Sequence, residues 1–569
     1  SRLTDFIPFC ALSEAKGMGI KMSQKFSRRE FMTYMGVGTA AMIGAVSGLD
    51  KVAMAAGKTW EPDKAAQGIP SKFKPISRTR QNDVMLPQGF KYDIIATYGD
   101  VINSKGEKFG DSVDLTVYFP IDAVEGGNNS EEGLLWVNHE FPMPENYMKM
   151  LGMLGIVADK YENSLAAKYP DLLQMQKESV GGSVIRIKKE NGTWKMIKDD
   201  KYNRRVHGNT KIELTGPASG STAVKGAKVV YGSLGNCSGG RTLWNTVLSC
   251  EENTEYGKSY GWPDFVDEHY GWVVEVDPFN LDAPVRKHTA LGRFAHENAA
   301  MGLTKDGRVV VYMGDDSRDE FFYKFISEKK FNPNNREANF SILESGTLYA
   351  ADLYNGKWIA LDYNKNEKLR TYKKAGANEP FFKSQADVVT FAREAGRAVG
   401  GTPMDRPEDV EIHPHDGTVY LSLTNNSKHG NFHGQILRFI PADEDHASDS
   451  FTFEVFAVGG QHNGFSCPDN LHFDSEGNLW VAEDYGDDEK VYEQFGNCAF
   501  LMIPTAGKNY GEAFQFLSGP VGSETTGPWF TPDEKTLFLN IQHPESWNPH
   551  PTHRFGRAST IAITGFKGV

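Results

Sequence analysis

The sequence predicts an all-β fold, a six-bladed β-propeller with helical insertions in its loops. Two observations support this prediction. A turn containing Asp or Glu, often with Gly, is repeatedly followed by a short apolar strand with a polar end, and each such strand is followed by a second apolar run. Recurrence of one multi-strand unit from about residue 120 to residue 569 is typical of a radially repeated fold.

The repeated strands can be read directly from the sequence. Those with polar ends are EEGLLWVNHE (131–140), WNTVLSCEEN (244–253), DGRVVVYMGDD (306–316), DGTVYLSLTNN (416–426), EGNLWVAED (476–484) and DEKTLFLNIQHPE (533–545). The runs that follow them are GGSVIRIKK, GWVVEVDP, EFFYKFIS, GQILRFIP, NCAFLMIP and ASTIAIT. Six such pairs predict six blades, with residues 345–363 as the outer hairpin of the third blade. If that hairpin is an independent blade, the number is seven.

Two stretches interrupt the β pattern. Residues 144–179 and residues 383–399 place apolar side chains three and four positions apart, which is the spacing of a helix. We therefore expect helical insertions near 144–179 and near 364–400. Insertions of this length on a rigid scaffold often shape an active site.

The N-terminal 58 residues have the features of an export leader. Arg28 and Arg29 precede an apolar run, and the small-residue pattern Ala53-Met54-Ala55 follows it. This order is that of a twin-arginine signal peptide, and an ordinary amphipathic helix is the alternative. The sequence thus predicts the twin-arginine export machinery as a partner and a periplasmic or secreted location.

The leader also bounds the rest of the chain. Met22 is a candidate start, and in that interpretation residues 1–21 lie outside the natural protein. We expect residues 59–569 to form a single catalytic propeller domain. No later segment holds the 18 or more apolar residues of a spanning helix, so we expect no transmembrane segment in the mature protein.

Composition and charge exclude several classes of function. A content of 39% hydrophobic and 12% aromatic residues is enough for a large core. The formal net charge of -13 argues against nucleic acid and anionic membranes as partners, because both require a basic face. Apart from Cys10 in the leader, four cysteines remain, an even number that permits two disulfides without requiring them.

Residues capable of binding metals fall at one end of the predicted hairpins. The inner hairpins begin with CSGG at 237, HEN at 296, RPED at 406 or CPDN at 467. The first and last residues of a hairpin lie at the same edge, so we expect a single ring of polar side chains in the central channel. The predicted ring contains Glu140, Cys237, Glu252, Glu297, Asp315, Glu408, Asp469 and Glu483, and the neighbouring amides are Asn138, Asn253, Asn298, Asn425 and Asn470.

Such a ring predicts bound cations. Carboxylates that converge in a partly desolvated site repel one another unless they are paired or bind metal. Oxygen ligands in this number suit calcium, whereas a thiolate from Cys237 indicates a transition metal, with iron or zinc favoured over magnesium. Ordinary solvent exposure of any single acid is the alternative, as is pairing of Cys237 with Cys250 and of Cys467 with Cys498.

Taken together, these motifs resemble the PhoX-type alkaline phosphatases over nearly the whole chain. The motifs are the twin-arginine leader, NHE, NCSGG, SCEEN, FAHENA, MGDDSRDEFFYKF, RPEDVE, CPDNLHFD and VAEDYG. The resemblance implies an exported six-bladed propeller that hydrolyses phosphomonoesters with calcium ions and iron. By this resemblance Cys237 binds iron. Glu252, Glu297 and Glu408 accompany it, and Glu140, Asp315 and Glu483 are assigned to calcium.

The expected chemistry agrees with these residues. Hydrolysis of a phosphomonoester requires neutralised phosphoryl oxygens and an activated oxygen nucleophile, and clustered metals supply both. Arg293, Arg318 and Lys324 are candidates for contacts with the phosphate, although each is otherwise an ordinary surface base. The sequence has no G-x-S-x-G motif, which disfavours a serine nucleophile.

Two other functions compete with this hypothesis. A calcium-dependent propeller lactonase or phosphotriesterase also places acids around a central metal, but it has less use for a thiolate. A non-enzymatic exported propeller with structural calcium predicts bound calcium, no chromophore and no turnover. A thiolate-bound iron centre is distinguished from both by its absorption of visible light.

Overall fold

A computed structural model describes residues 20–21, 72–142, 144–485, 488–544 and 555–568. The predicted leader, with Arg28 and Arg29, lies outside these residues apart from the strand β1 (Ile20–Lys21). In the described part of the chain, no helix combines the length and the apolar composition needed to cross a membrane. The described cysteines Cys237, Cys250, Cys467 and Cys498 are all free, so neither of the predicted pairs is a disulfide here.

The described chain is mostly β structure, arranged in consecutive antiparallel sheets. After β2 (Lys91–Thr97), sheet 1 contains β3 (Val113–Pro120), β4 (Glu132–His139), β5 (Gly181–Glu190), β6 (Thr193–Met196) and β7 (Arg204–Val206). Sheet 2 contains β8 (Lys211–Thr215), β9 (Val229–Tyr231), β10 (Asn236–Arg241), β11 (Val247–Glu251), β12 (Val273–Val276) and β13 (Arg286–His288), with β8 and β13 parallel.

The third sheet includes the hairpin at 345–363. It starts with β14 (Ala300–Leu303) and β15 (Arg308–Gly314), and after β16 (Arg318–Glu320) it continues with β17 (Phe322–Lys330), β18 (Gly346–Asp352) and β19 (Lys357–Ala360). The hairpin at 345–363 is therefore the outer part of sheet 3, as predicted. Strand β16 pairs separately with β20 (Met404–Asp405).

Three further sheets complete the chain. Sheet 4 contains β21 (Pro407–Ile412), β22 (Val419–Leu423), β23 (Gln435–Pro441) and β24 (Phe451–Val458), with β1 at its edge. Sheet 5 contains β25 (Pro468–Phe473), β26 (Leu479–Glu483), β27 (Ala499–Ile503) and β28 (Phe514–Ser518). Sheet 6 contains β29 (Glu524–Phe530), β30 (Thr536–Gln542) and β31 (Ser559–Thr564), and the early strand β2 pairs with β31.

Helices occupy both of the predicted insertions. The first holds α1 (Pro144–Met153), α2 (Ser164–Lys168) and α3 (Pro170–Ser179), and α4 (Tyr256–Ser259) follows β11. The second holds α5 (Glu367–Thr371), α6 (Gln385–Thr390) and α7 (Ala392–Val399), and α8 (Glu489–Phe495) follows β26. Short 3₁₀ turns and one longer 3₁₀ helix, Glu337–Glu344, lie in the connections.

The core lies between neighbouring sheets. In a strand, successive side chains point to opposite faces, so Val309 and Val311 of β15 pack against sheet 2 while Val310 packs against sheet 4. Similar apolar clusters join sheets 1 and 2, 4 and 5, 5 and 6, and 6 and 1. The strands that begin the inner hairpins contact one another in the same cyclic order, from β3 through β10, β14, β21, β25 and β29 back to β3.

Candidate metal centre

A β-bulge interrupts the start of the inner hairpin in sheets 1, 2, 4, 5 and 6. The first bulged residue in these sheets is, in order, Asp114, Cys237, Glu408, Asp469 and Gly527. In sheet 3, Glu297 follows an isolated bridge between His296 and Asp315, just before β14. A bulge takes residues out of the ladder and redirects a side chain. The fold thus repeats one device to direct ligand-type side chains to a common centre.

A left-handed backbone residue precedes four of these positions by two residues. Ser112, Gly235, Arg406 and Cys467 have φ angles of 44°, 69°, 54° and 49°. For the three that are not glycine, this conformation costs free energy and persists only where the surrounding structure holds it. The same turn therefore precedes Asp114, Cys237, Glu408 and Asp469, and it is strained in the three hairpins where the left-handed residue is not glycine.

The directed side chains meet in three overlapping groups. Each group places one oxygen or sulfur atom per residue within 4.8 Å of the others. The groups are Asp114, Glu140 and Cys237; Cys237, Glu252 and Glu297; and Glu297, Glu408 and Asp469. Cys237 and Glu297 are each shared by two groups, and all seven residues are buried. The three groups therefore form one continuous cluster, here called the central cluster.

Amide side chains bind the acids of the central cluster to one another. Asn253 Nδ2 donates to Glu140 Oε1 at 2.9 Å and to Glu252 Oε2 at 2.7 Å. Asn470 Nδ2 donates to Asp469 Oδ1 at 3.0 Å and to Glu297 Oε1 at 3.3 Å. Because an amide carries no charge, these contacts fix the carboxylates in place without neutralising them.

The electrostatics of the central cluster favour protonated acids when no cation is bound. Burial raises the pKa of Glu140 to about 8. Burial, reinforced by neighbouring carboxylates, raises the pKa values of Asp114, Glu252, Glu297 and Asp469 well above their ordinary range. Burial and the charge of Asp114 do the same to the pKa of the Cys237 thiol. Six carboxyl groups and a thiol cannot all ionise here without positive charge.

The residues present fit bound metal ions. Asp114 Oδ1, Glu297 Oε2 and Asn298 Oδ1 are buried and have no hydrogen-bond partner in the described chain. A buried acceptor without a partner costs about 1–3 kcal/mol, and a cation removes that cost. Carboxylate oxygens are ligands for calcium, and a thiolate suits iron. The donor set of the central cluster is therefore that of a mixed site.

Two adjacent glutamates in sheet 2 have different roles. Glu251 ends β11, and its carboxylate accepts hydrogen bonds from the backbone N–H groups of Gly271 and Trp272. It also pairs with Lys287, whose Nζ lies 2.8 Å from Glu251 Oε1, and both side chains are fully buried. Glu252, the next residue, belongs to the central cluster. Glu251 is thus a structural acid whose charge is balanced within the protein.

Arg406 provides positive charge beside the central cluster. Its Nε and Nη2 atoms donate to both oxygens of Asp316, at 2.8 and 2.9 Å. Its Nη2 atom also lies 2.7 Å from Glu408 and 3.4 Å from Asp484. Among the described residues Nη1 has no hydrogen bond, and 21% of the side chain is exposed. One edge of the guanidinium is therefore free to bind an anion.

Two acids of the predicted ring are paired with arginines instead. Arg393 of α7 holds Asp315 with contacts of 2.6 and 2.9 Å, and Arg78 holds both oxygens of Glu483 at 2.6 and 2.7 Å. Glu483 also accepts from the backbone N–H groups of Ser466 and Ala499. The charges of Asp315 and Glu483 are therefore balanced by arginines, and neither acid needs a metal ion to neutralise it.

The predicted amide Asn138 is fully used within the protein. Its Nδ2 atom donates to the backbone carbonyls of Cys237 and Ser238, and its Oδ1 atom accepts from Trp136 and Ser249. Asn138 therefore supports the bulge at Cys237 rather than offering an oxygen to the centre. Asn253, in contrast, lies against the central cluster through its contacts with Glu140 and Glu252.

The three bases expected to bind phosphate lie elsewhere. Arg293 donates to the backbone carbonyls of Tyr270 and Asp267. Lys324 donates to the carbonyls of His446 and Ser448, between sheets 3 and 4. Arg318 is exposed on β16, opposite Asp405. None of the hydrogen bonds or ion pairs found in the described chain joins these bases to the central cluster, so their contacts lend no support to the predicted role.

Sequence reasoning missed Asp114 and Arg406. Asp114 lies in DSVDLTVYFP, the strand that precedes EEGLLWVNHE, and so occupies the same position as Cys237 in its own hairpin. That equivalence was available in the sequence. Arg406 begins the RPED motif, but only the structure shows that its guanidinium turns toward Asp316.

A separate group of Asp319, Asp405 and His429 lies near β20. His429 spans the two acids, with Nδ1 at 2.6 Å from Asp405 and Nε2 at 3.1 Å from Asp319. This group is therefore a local ion-pair network beside Arg406, not part of the central cluster.

Comparison with known proteins agrees with this geometry. Residues 71–545 match the family model described as alkaline phosphatase PhoX. The structure of Pseudomonas fluorescens PhoX in complex with vanadate, a transition state analogue, is 31% identical and superposes with a TM-score of 0.75. That match covers 87% of this chain and 98% of the Pseudomonas chain. The chain belongs to the PhoX alkaline phosphatase family. It is a phosphatase that hydrolyses phosphomonoesters.

A second structural match is too distant to support a conclusion about function. A gluconolactonase from Xanthomonas campestris is 11% identical, covers 59% of this chain and 75% of its own, and has a TM-score of 0.26. Comparison with curated proteins gave no match. The PhoX family assignment sets aside the lactonase, the phosphotriesterase and the non-enzymatic binding protein as alternatives.

Metal-free protein is expected to lose stability as the pH rises from 5 to 8. An acid whose pKa is raised on folding binds more protons in the folded state, so the free energy of unfolding falls between its unfolded pKa and its folded pKa. Glu140 and Asp484 both have a pKa of about 8, so the free energy of unfolding should fall up to about pH 8. We expect a decrease of roughly 2–5 kcal/mol in urea unfolding of chelator-treated protein.

Two controls separate this effect from general alkaline destabilisation. Glu140→Gln removes one of the titrating groups and should make the decrease smaller. Protein refilled with calcium and iron should show a flatter profile, because the cations replace the protons. Metal-free protein that is as stable at pH 8 as at pH 5 would contradict the electrostatic description of the cluster.

Proposed function

We propose that the enzyme hydrolyses phosphomonoesters at a centre of calcium and iron ions held by the central cluster. The observation that carries this proposal is the convergence of six buried carboxyl groups and one thiol, contributed by five of the six sheets. Membership of the PhoX alkaline phosphatase family supplies the reaction. The requirement for positive charge supplies the reason for the metals.

Donor chemistry suggests how the ligands are divided. The group of Cys237, Glu252 and Glu297 contains the sulfur and is proposed to hold iron. The all-oxygen group of Glu297, Glu408 and Asp469 is proposed to hold calcium. Asp114 and Glu140 offer further oxygens on the other side of Cys237. Glu297 belongs to both groups and would offer a carboxylate oxygen to each.

Arg406 is proposed to hold the phosphoryl group of the substrate. When bound, the metal ions would withdraw charge from the phosphoryl oxygens and supply an activated oxygen nucleophile. Asp316 fixes the guanidinium of Arg406 through two hydrogen bonds, which leaves Nη1 to donate to a phosphoryl oxygen. Binding of vanadate, a transition state analogue, by the Pseudomonas homologue agrees with a site that holds the phosphoryl group.

The six sheets are proposed to be the blades of a β-propeller. The cyclic contacts of the strands that begin the inner hairpins, and the six apolar clusters between neighbouring sheets, support this arrangement. Pairing of β2 with β31 would close the ring by joining early and late parts of the chain in sheet 6. The central cluster, built from the inner hairpins, would then lie on the propeller axis.

We also propose that the enzyme acts outside the cytoplasm. Arg28, Arg29 and the small-residue pattern after them support export by the twin-arginine route. Phosphatase activity that stays in the cytoplasmic fraction of cells expressing the natural leader would contradict this.

Removal of metal tests the proposed cofactors. Hydrolysis of p-nitrophenyl phosphate should be abolished by a chelator and restored by calcium and iron, and metal analysis should find both elements. Cys237→Ser should lose the iron, the visible absorption and at least about a hundredfold in kcat/KM, because the thiolate ligand is gone. Cys250→Ser is the matched control: Cys250 is also buried, but in the apolar core between sheets 2 and 3.

Both cysteine variants should first be shown to fold by circular dichroism. Full activity and unchanged iron content in Cys237→Ser would remove the thiolate from the proposal. Equal losses in both cysteine variants would show that the effect is one of stability.

Substitution of Arg406 tests the phosphoryl contact. Lysine keeps the charge but lacks the planar fork that binds both oxygens of Asp316 and leaves Nη1 for the phosphoryl group, so Arg406→Lys should lower kcat/KM by about 10²–10³-fold with metal content unchanged. Arg318→Lys, the same change at an exposed position, should stay close to the wild type. Activity that survives in Arg406→Lys, or falls equally in Arg318→Lys, would show that Arg406 does not bind the phosphoryl group.

A further inference from the structure

Two aromatic side chains follow the central cluster along the chain. Phe141 is the residue after Glu140, and Tyr256 is four residues after Glu252. Their ring centroids are 5.2 Å apart, and both side chains are half-buried. Asn253, which joins Glu140 and Glu252, also receives the backbone N–H of Tyr256 on its carbonyl oxygen. The pair of rings is thus tied to two acids of the cluster.

A row of buried and half-buried tyrosine rings supports this pair. Tyr256 stacks on Tyr260 at 5.5 Å, Tyr260 contacts Tyr147 at 5.3 Å, and Tyr147 stacks on Tyr161 at 4.4 Å. The hydroxyl of Tyr161 donates to the carbonyl oxygen of Tyr260, which locks the first insertion to the segment around α4. The row therefore holds Tyr256 in one position before any substrate arrives.

Tyr256 also lies within the field of the central cluster. Burial raises the pKa of its hydroxyl, and the charges of Glu140 and Glu252 raise it further. Glu255, the residue before Tyr256, is exposed and adds negative charge at the surface. This negative charge disfavours an anionic ligand group beside Tyr256. An uncharged aromatic ring, in contrast, can pack against the side chains of Phe141 and Tyr256.

We propose that Phe141 and Tyr256 form the wall that receives the leaving group, and that they favour phosphomonoesters of aromatic alcohols over those of small alkyl alcohols. This inference rests on the proposed phosphatase centre, because the wall has this role only if the phosphoryl group binds beside Glu140 and Glu252. Substrate phosphate would be held by the common centre, and the ring of the leaving group would pack against the half-buried rings. The two residues would then determine specificity and would take no part in the chemical step.

The test compares two substrates on each variant. For the wild type, Tyr256→Ala, Tyr256→Phe and Phe141→Leu, kcat/KM is measured with 2-naphthyl phosphate and with glycerol 2-phosphate. Tyr256→Ala and Phe141→Leu should lower the ratio of the aromatic to the alkyl value by about three- to tenfold. Tyr256→Phe keeps the ring and should keep the ratio. Tyr231→Ala, at a tyrosine that is 62% exposed on β9, is the control and should leave both values unchanged.

Each result decides the matter. A ratio that does not change in Tyr256→Ala and Phe141→Leu overturns the proposal. Equal losses on both substrates also overturn it, because they assign the residues to the common phosphoryl step or to stability. A lower ratio in Tyr256→Phe would assign the preference for aromatic substrates to the hydroxyl of Tyr256, and it would overturn the role proposed for the ring. A wild type inactive on both substrates would instead overturn the proposed function, so the two failures are distinguishable.

Discussion

Repulsion among buried carboxylates is the constraint on which the centre of this protein depends. Asp114, Glu140, Glu252, Glu297, Glu408 and Asp469 are all buried within one cluster, and the described chain sets only Arg406 directly beside them. A core of this kind is unfavourable unless the acids are protonated or neutralised by cations. The same property that opposes folding without metal makes the site able to concentrate positive charge, which is what a phosphoryl group requires.

The backbone supplies the geometry of the cluster. Sheets 1, 2, 4 and 5 each use a bulge to direct one ligand-type residue inward, and each places a left-handed residue two positions earlier. In sheet 6 the bulge holds Gly527, where a Cβ atom would lie 2.2 Å from the carbonyl oxygen of Asp114. Five of the inner hairpins thus contribute an acid or a thiol. The sixth has a glycine at this position, which allows its backbone to approach the backbone of Asp114 closely.

Much of the central cluster could be predicted from the sequence. What the sequence did not determine was which of two adjacent residues on a strand faces the centre. The recurring hairpins located Cys237, Glu252, Glu297, Glu408 and Asp469, because the position of a residue in a repeat is visible in the sequence. The choice between neighbours was less secure. Asp315 pairs with Arg393 while Asp316 holds Arg406, and Glu483 pairs with Arg78 while Asp484 approaches Arg406. Adjacent residues on a strand face opposite ways, and a local irregularity reverses which one faces the centre.

Anomalous X-ray diffraction from crystals of the purified enzyme, with data on both sides of the iron absorption edge, tests the central claim most directly. The account predicts an iron peak bounded by Cys237 Sγ and the carboxylates of Glu252 and Glu297. It also predicts a second cation, without an iron signal, among Glu297, Glu408 and Asp469. Crystals of active enzyme in which these acids contact only protein and water, or in which iron is held elsewhere, would contradict the account.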